Sequence, residues 1–167
     1  MKNLLRLDDL SVKEIKDIVD LALKFKHHRV KKQFKNKTVA NLFFENSTRT
    51  HYSFLQAENN LNCKYLDFAV ATSSVNKGES FYDTVKVFDC LKVDAIIVRS
   101  VIDKWYKQVK GKVKARLINA GDGKSDHPTQ TLLDLLTIYE QFGKFEGLKV
   151  LIIGDIVHSR VAHSNYN

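Results

Sequence analysis

Phe43-Phe44-Glu45-Asn46-Ser47-Thr48-Arg49-Thr50 converts an apolar run into three hydroxyls gathered around one arginine. Upstream, Thr38 to Phe44 has the β-branched and aromatic content of a buried strand, and downstream Tyr52, Leu55, Gln56 and Asn59 recur at helical spacing. The hydroxyls therefore fall at a helix N-terminus, where the first backbone N–H groups lack intrahelical acceptors and the macrodipole is positive. Ser47, Thr48 and Thr50 add donors there, and Arg49 adds a planar, permanently charged fork. The stretch reads as a cradle for an anion, with phosphate its natural guest. The alternative is a plain N-cap, which one hydroxyl would satisfy and three around an arginine exceed.

Outward from the cradle, strand and helix patterns alternate. On the N-terminal side, Ser11-x-x-Glu14 forms a capping box and Val12, Ile15, Ile18, Val19, Ala22 and Phe25 follow at helical spacing, predicting a first helix that ends near His28. His27 and His28 complement its dipole, and being adjacent they point to different faces, which argues against a metal pair. On the C-terminal side, the cradle helix runs to about Leu61, and Lys64 to Val70 reads as a second strand. Residues 71–80, which include Ser74 and Lys77, are polar and hydroxyl-rich: either a binding loop or a flexible connector.

A helix with Phe81, Val85, Phe88 and Leu91 inward follows, then a buried strand from Asp94 to Val98 that delivers Arg99 at its C-terminal end. Ile102 to Lys110 predicts a modest helix carrying Trp105 and Tyr106, and Ala115 to Ala120 a further strand. Pro128 suits the first position of a helix that closes at Gly143. His127 stands at that helix start, able to donate toward a carbonyl oxygen or simply to cap, with Gln130 in the first turn. Leu148 to Gly154 predicts a last strand, with little chain after it to cover it. Its terminal glycine belongs to no G-x-G-x-x-G, so a dinucleotide site is disfavoured.

This alternation implies an α/β fold, a Rossmann-like parallel sheet flanked by helices on both faces. Ser47 to Thr50, Arg99, and His127 to Gln130 then all fall at C-terminal strand ends, where one crevice can gather them. Arg99 in that position is either functional or an ordinary surface residue.

The 167 residues, 44% of them hydrophobic, suffice for one domain-sized core. No apolar run approaches the ~20 residues of a membrane span, and the first residues lack a signal-peptide apolar region, so the expectation is a cytoplasmic chain with no membrane contact. Cys63 and Cys90 make neither a metal spacing nor a disulfide framework. The net charge of +8 invites a nucleic-acid reading, but the excess is nearly all lysine, densest between Lys24 and Lys37, without interleaved aromatics or a nucleic-acid motif. A solvated basic face that draws in small anions fits better, and no nucleic acid is expected as a partner.

Four stretches together carry a resemblance: Phe43 to Thr50, Lys77-Gly78-Glu79, Asn119-Ala120-Gly121-Asp122-Gly123, and His127-Pro128-Thr129-Gln130-Thr131-Leu132-Leu133-Asp134. They resemble the aspartate/ornithine carbamoyltransferase family over nearly the whole chain. The S-T-R-T and H-P-x-Q signatures are common to both branches, while Phe44-Glu45-Asn46, the Lys77 loop and Leu132-Leu133-Asp134 look like the aspartate branch. The resemblance implies a carbamoyl phosphate-binding domain over residues 1–146 and the start of an aspartate-binding domain over residues 147–167. It implies transfer of a carbamoyl group to the amine of L-aspartate in pyrimidine synthesis, with no metal or organic cofactor.

By the same resemblance, Ser47, Thr48, Arg49 and Thr50 hold the phosphate of carbamoyl phosphate; Thr50, Arg99 and His127 address its carbonyl oxygen as the catalytic donors; and Gln130 meets its amino group. Ser74 and Lys77 reach the site of a neighbouring subunit in a homotrimer, and Arg160, with Lys77, binds aspartate. Three positions depart from the family pattern: His51 stands for an arginine, Ser100 for a histidine and Asp126 for a glutamine. Asp126 is expected to oppose anion binding unless Lys124 or His127 compensates it. The family's second domain is represented only by its first strand and Arg160, so a non-catalytic carbamoyl phosphate-binding or trimer-forming module is the alternative to an enzyme.

Overall fold

The computed structural model describes residues 3–27, 32–70 and 73–166, the side chain of Ser74 excepted. His28, the expected helix end, and Ala71 and Thr72 of the polar loop lie outside the described residues. Helix α1 (Val12–Lys26) opens on the expected capping box: Glu14 N–H donates to Ser11 Oγ at 3.2 Å and Ser11 N–H to Glu14 Oε2 at 2.8 Å. Strand β1 (Thr38–Phe43) leads into α2 (Thr48–Asn60), β2 (Lys64–Phe68) into α3 (Phe81–Cys90), and β3 (Ala95–Ser100) and β4 (Arg116–Asp122) into α4 (Pro128–Phe142). A short helix, α5 (Arg160–Tyr166), follows.

The four strands form one parallel sheet in the order β2-β1-β3-β4. Successive side chains alternate faces, so Ala40, Leu42, Ile96, Val98 and Leu117 point one way, into a buried cluster with Val85 of α3 and Trp105. Phe43, Ile97 and Ala120 point the other way and pack with Phe54 of α2. Helices thus cover both faces, as the runs of apolar strand residues predict.

Strand order sets the position of the site. From β1 the chain moves first to one side, to β2, and then to the other, to β3, so the loops leaving β1 and β3 diverge and open a crevice at the switch point. Phe44 N–H donates to Arg99 O at 2.8 Å and ties the two strand ends together at its floor.

Three expectations change. Residues 102–110 make only a 3₁₀ turn over Trp105–Gln108, because Lys104 enters it with a left-handed φ of 52° and gives its N–H to Asp122 Oδ2 at 3.0 Å. Trp105 and Tyr106 are anchored in the core instead of forming a helical stripe. Residues 148–154 form no strand: Val150, Leu151 and Ile153 are 67%, 82% and 85% exposed. The outer edge of β4 is already taken, since Leu4 N–H donates to Leu117 O at 2.9 Å and Asn119 N–H to Leu4 O at 2.8 Å, and a strand needs a partner edge. Leu91, expected inward, lies at the C-cap of α3 and is 60% exposed.

Candidate functional site

A cleft of about 870 Å³ opens at the switch point, and Ser47, Thr48, Arg49, Thr50, Arg99, His127, Gln130 and Arg160 all line it. The volume lies within the roughly 300–1,000 Å³ common for small-molecule sites. Ser47 is the N-cap residue of α2, yet its side chain makes no capping hydrogen bond, and no acidic residue sits in the first turn. The helix start therefore keeps its donors and positive end for the cleft. Arg49 is exposed at its wall.

The most developed contact in the cleft is one the sequence left without a role. Glu45 Oε1 accepts from Arg99 Nη2 at 3.2 Å and Arg160 Nη2 at 2.7 Å, and Oε2 accepts from Arg160 Nη1 at 2.9 Å. Burial works to raise the Glu45 carboxyl, but the Arg160 hydrogen bonds and the charges of Arg99 and Arg160 outweigh it and hold the group below its ordinary value. Arg99 Nη1 also reaches Thr50 Oγ1 and Ala120 O, both at 3.5 Å. An acidic residue inside an otherwise cationic motif was the available sign that something there needed neutralising.

His127 occupies the N-cap position of α4, 5% exposed and with no side-chain capping bond, and its backbone N–H donates to Ser164 Oγ of α5. Burial first, then the nearby charges of Arg99 and Arg160, push its imidazole down to about 4. It is neutral at pH 7 and offers a hydrogen bond without adding a charge. Its Nδ1 lies 3.3 Å from Thr129 Oγ1. Gly121, with φ +119°, gives Arg160 and His127 room: an added Cβ would lie 3.3 Å from Arg160 Nη1 and 3.4 Å from His127 Cδ2.

The loop that sets His127 hangs on Asp122, fully buried at the end of β4. Its Oδ1 accepts from Asp126 N–H and its Oδ2 from Lys104 N–H, while burial pushes the carboxyl up to about 6 against those donors. Asp126 does not face the cleft. It is 4% exposed and paired with Arg6 Nε at 3.4 Å, so its compensating partner is Arg6, and neither Lys124 nor His127 is needed.

The other two departures are also turned away from the cleft. His51 stacks on Phe43 at 4.4 Å between ring centroids and meets Asp67 Oδ1 at 2.6 Å, and Ser100 is buried with its Oγ accepting from Ile102 N–H at 3.1 Å. Residues Ser74–Lys77 form a 3₁₀ turn, and Lys77 is exposed and does not line this cleft.

Comparison with known proteins follows the same lines. The family described as "Aspartate/ornithine carbamoyltransferase, carbamoyl-P binding domain" matches residues 2–140. The aspartate carbamoyltransferase catalytic subunit of Fusobacterium nucleatum is 49% identical over 165 residues, covering 99% of this chain and 54% of that protein. That of Malacoplasma penetrans is 48% identical over 166 residues, covering 99% and 55%. The crystal structure of Trypanosoma cruzi aspartate transcarbamoylase in complex with carbamoyl phosphate and aspartate superimposes with a TM-score of 0.91 at 31% identity, covering 99% of this chain and 56% of that one. The chain spans about half the length of the curated relatives it matches.

Proposed function

The chain belongs to the aspartate/ornithine carbamoyltransferase family, and from that premise we propose that it is the carbamoyl phosphate-binding part of an aspartate carbamoyltransferase. In this reading residues 1–146 form the carbamoyl phosphate domain and residues 147–167 begin an aspartate domain. The reaction joins carbamoyl phosphate and L-aspartate to give N-carbamoyl-L-aspartate and phosphate in pyrimidine synthesis, a cytoplasmic process. The observation that carries the reading is the convergence of the uncapped Ser47 helix start with Arg99, His127 and Gln130 in one cleft.

The chemistry follows from placement. Phosphate rests against Ser47, Thr48, Arg49 and Thr50, where backbone N–H groups, hydroxyls and a guanidinium share its charge. The carbonyl oxygen faces Thr50, Arg99 and neutral His127. As the aspartate amine attacks the carbonyl carbon, negative charge grows on that oxygen, and each fixed donor aimed at it contributes roughly 3 kcal/mol. Phosphate then leaves carrying the bonding electron pair, and is itself basic enough to take the amine proton. Arg160 is the aspartate ligand in this chain. Because Glu45 already occupies its fork, a substrate carboxylate must displace Glu45 to reach it. In this reading Ser74 and Lys77 act in the cleft of a neighbouring subunit of a homotrimer, and Lys77 stands exposed outside the cleft of its own chain.

Calorimetry and a product assay test the proposal. Carbamoyl phosphate should bind, and Arg49→Ala should weaken it about tenfold or more by removing a charge-assisted donor; unchanged affinity contradicts the cradle. The same pair of measurements separates a second reading, in which this chain binds carbamoyl phosphate without turnover. Binding with no carbamoyl-aspartate formed at saturating substrates selects that reading.

A further inference from the structure

Gln130 lines the cleft, and its amide has two unlike ends, an NH₂ that donates and an oxygen that accepts. Which end meets the ligand is decided behind it. Gln130 Nε2 donates to Asp134 Oδ1 at 3.0 Å, one helical turn along α4. A carboxylate accepts only, so the amide cannot turn over without placing its oxygen against another oxygen. Asp134 is itself held from a second element: Asn165 Nδ2 of α5 donates to its other oxygen, Oδ2, at 2.8 Å. With an amide on each oxygen the carboxylate cannot rotate away, and this sets the arrangement apart from an ordinary i,i+4 surface pair.

We infer that Asp134, braced by Asn165, is a positioning residue that fixes Gln130 with its amide oxygen toward the cleft, and thereby selects a phosphate ester or anhydride carrying an N–H₂ group. The inference rests on the carbamoyl phosphate reading and deepens it. The cradle alone holds any small phosphate, whereas an acceptor locked in place distinguishes a carbamoyl group from the acetyl group of the same shape. A methyl there leaves the Gln130 oxygen desolvated and unpaired, an unfavourable outcome for the wrong ligand.

The test measures dissociation constants of carbamoyl phosphate, acetyl phosphate and inorganic phosphate by calorimetry on the 167-residue chain. The unsubstituted chain should prefer carbamoyl over acetyl phosphate. Asp134→Ala should reduce that preference about tenfold, the worth of one well-placed hydrogen bond, and leave inorganic phosphate within about twofold. Asn165→Ala, at an exposed position, should act in the same direction by about threefold and serves if Asp134→Ala fails to fold. In a Gln130→Ala background Asp134→Ala should change nothing further, because its effect passes through that amide. A preference that survives Asp134→Ala or Asn165→Ala, an equal loss for all three ligands, or additive losses in the double variant overturns the inference alone. No preference in the unsubstituted chain overturns the parent reading and this inference with it.

Discussion

His127 holds its imidazole 5% exposed beside two guanidinium groups, and that surrounding decides its charge. In the unfolded chain it would titrate near 6.5, whereas in the fold it stays neutral down to about 4. Above pH 6.5 both states are neutral and nothing is lost. Between 6.5 and 4 the unfolded chain takes up the proton first, so stability decreases as the pH is lowered through that window, by roughly 3 kcal/mol at its foot. His127→Gln removes this dependence. Urea denaturation at pH 7 and pH 4 should show the unsubstituted chain losing roughly 3 kcal/mol more than the variant across the interval, and parallel losses would show the imidazole is not held neutral. The placement of the hydroxyls and arginine at a helix start was legible because the apolar strand run stops before Ser47 and helical spacing begins after it. Glu45 was not, since nothing in a linear string reveals that two arginines 61 positions apart, Arg99 and Arg160, share one carboxylate. The facing of Asp126 was equally hidden, because it depends on Arg6, which lies far from it in sequence.

At the scale of elements, the turn out of β4 brings α4 and α5 together around Gly121. Its φ of +119° is a conformation that side chains rarely adopt, and an added Cβ would press on Arg160 Nη1 at 3.3 Å. Gly121→Ala should lower stability by about 1–3 kcal/mol through backbone strain and weaken carbamoyl phosphate binding by displacing His127 or Arg160. Thermal melts and calorimetry check both, and a variant with unaltered melting temperature and affinity would show that the junction yields freely. Periodicity read four strands and the four longer helices correctly because each has a partner in the described chain. It failed at 148–154, where the residues suit a strand but the outer edge of β4 is already bordered by Leu4. It failed again at 102–110, where aromatic anchoring and a left-handed Lys104 overrule the helical spacing. Helix α5 drew no expectation beyond Arg160, yet through Ser164, Asn165 and Arg160 it touches His127, Asp134 and Glu45, which bear on His127, Gln130 and Arg99 of the cleft.

For the molecule as a whole, fold class was the most readable property, since alternating apolar strands and amphipathic helices leave a parallel sheet as the way to bury both faces. The sharing of sites between copies is the proposal that only an assembly can test. Mixing equal amounts of Arg49→Ala and Lys77→Ala chains should restore carbamoyl phosphate binding, or turnover where it occurs, toward about a quarter of the unsubstituted level, because in random assembly that share of sites combines an intact cradle with an intact neighbouring lysine. Mixed chains no better than either parent would place Lys77 outside any shared site. The segment at Leu4 and Leu5 that borders β4 bears on how the chain reaches its shape. Leu117 N–H donates to Asn3 Oδ1 and Asn119 Nδ2 to Leu5 O, each across 114 positions, and Leu5 is only 1% exposed. In a chain emerging from the ribosome, Asn3 to Leu5 cannot make these bonds until β4 has been synthesised. Closing so long a loop is unfavourable in entropy and is recovered only when both ends dock. The border of the sheet nearest Gly121 is therefore finished late and all at once, so the cleft gains its full set of donors only after β4 has been synthesised.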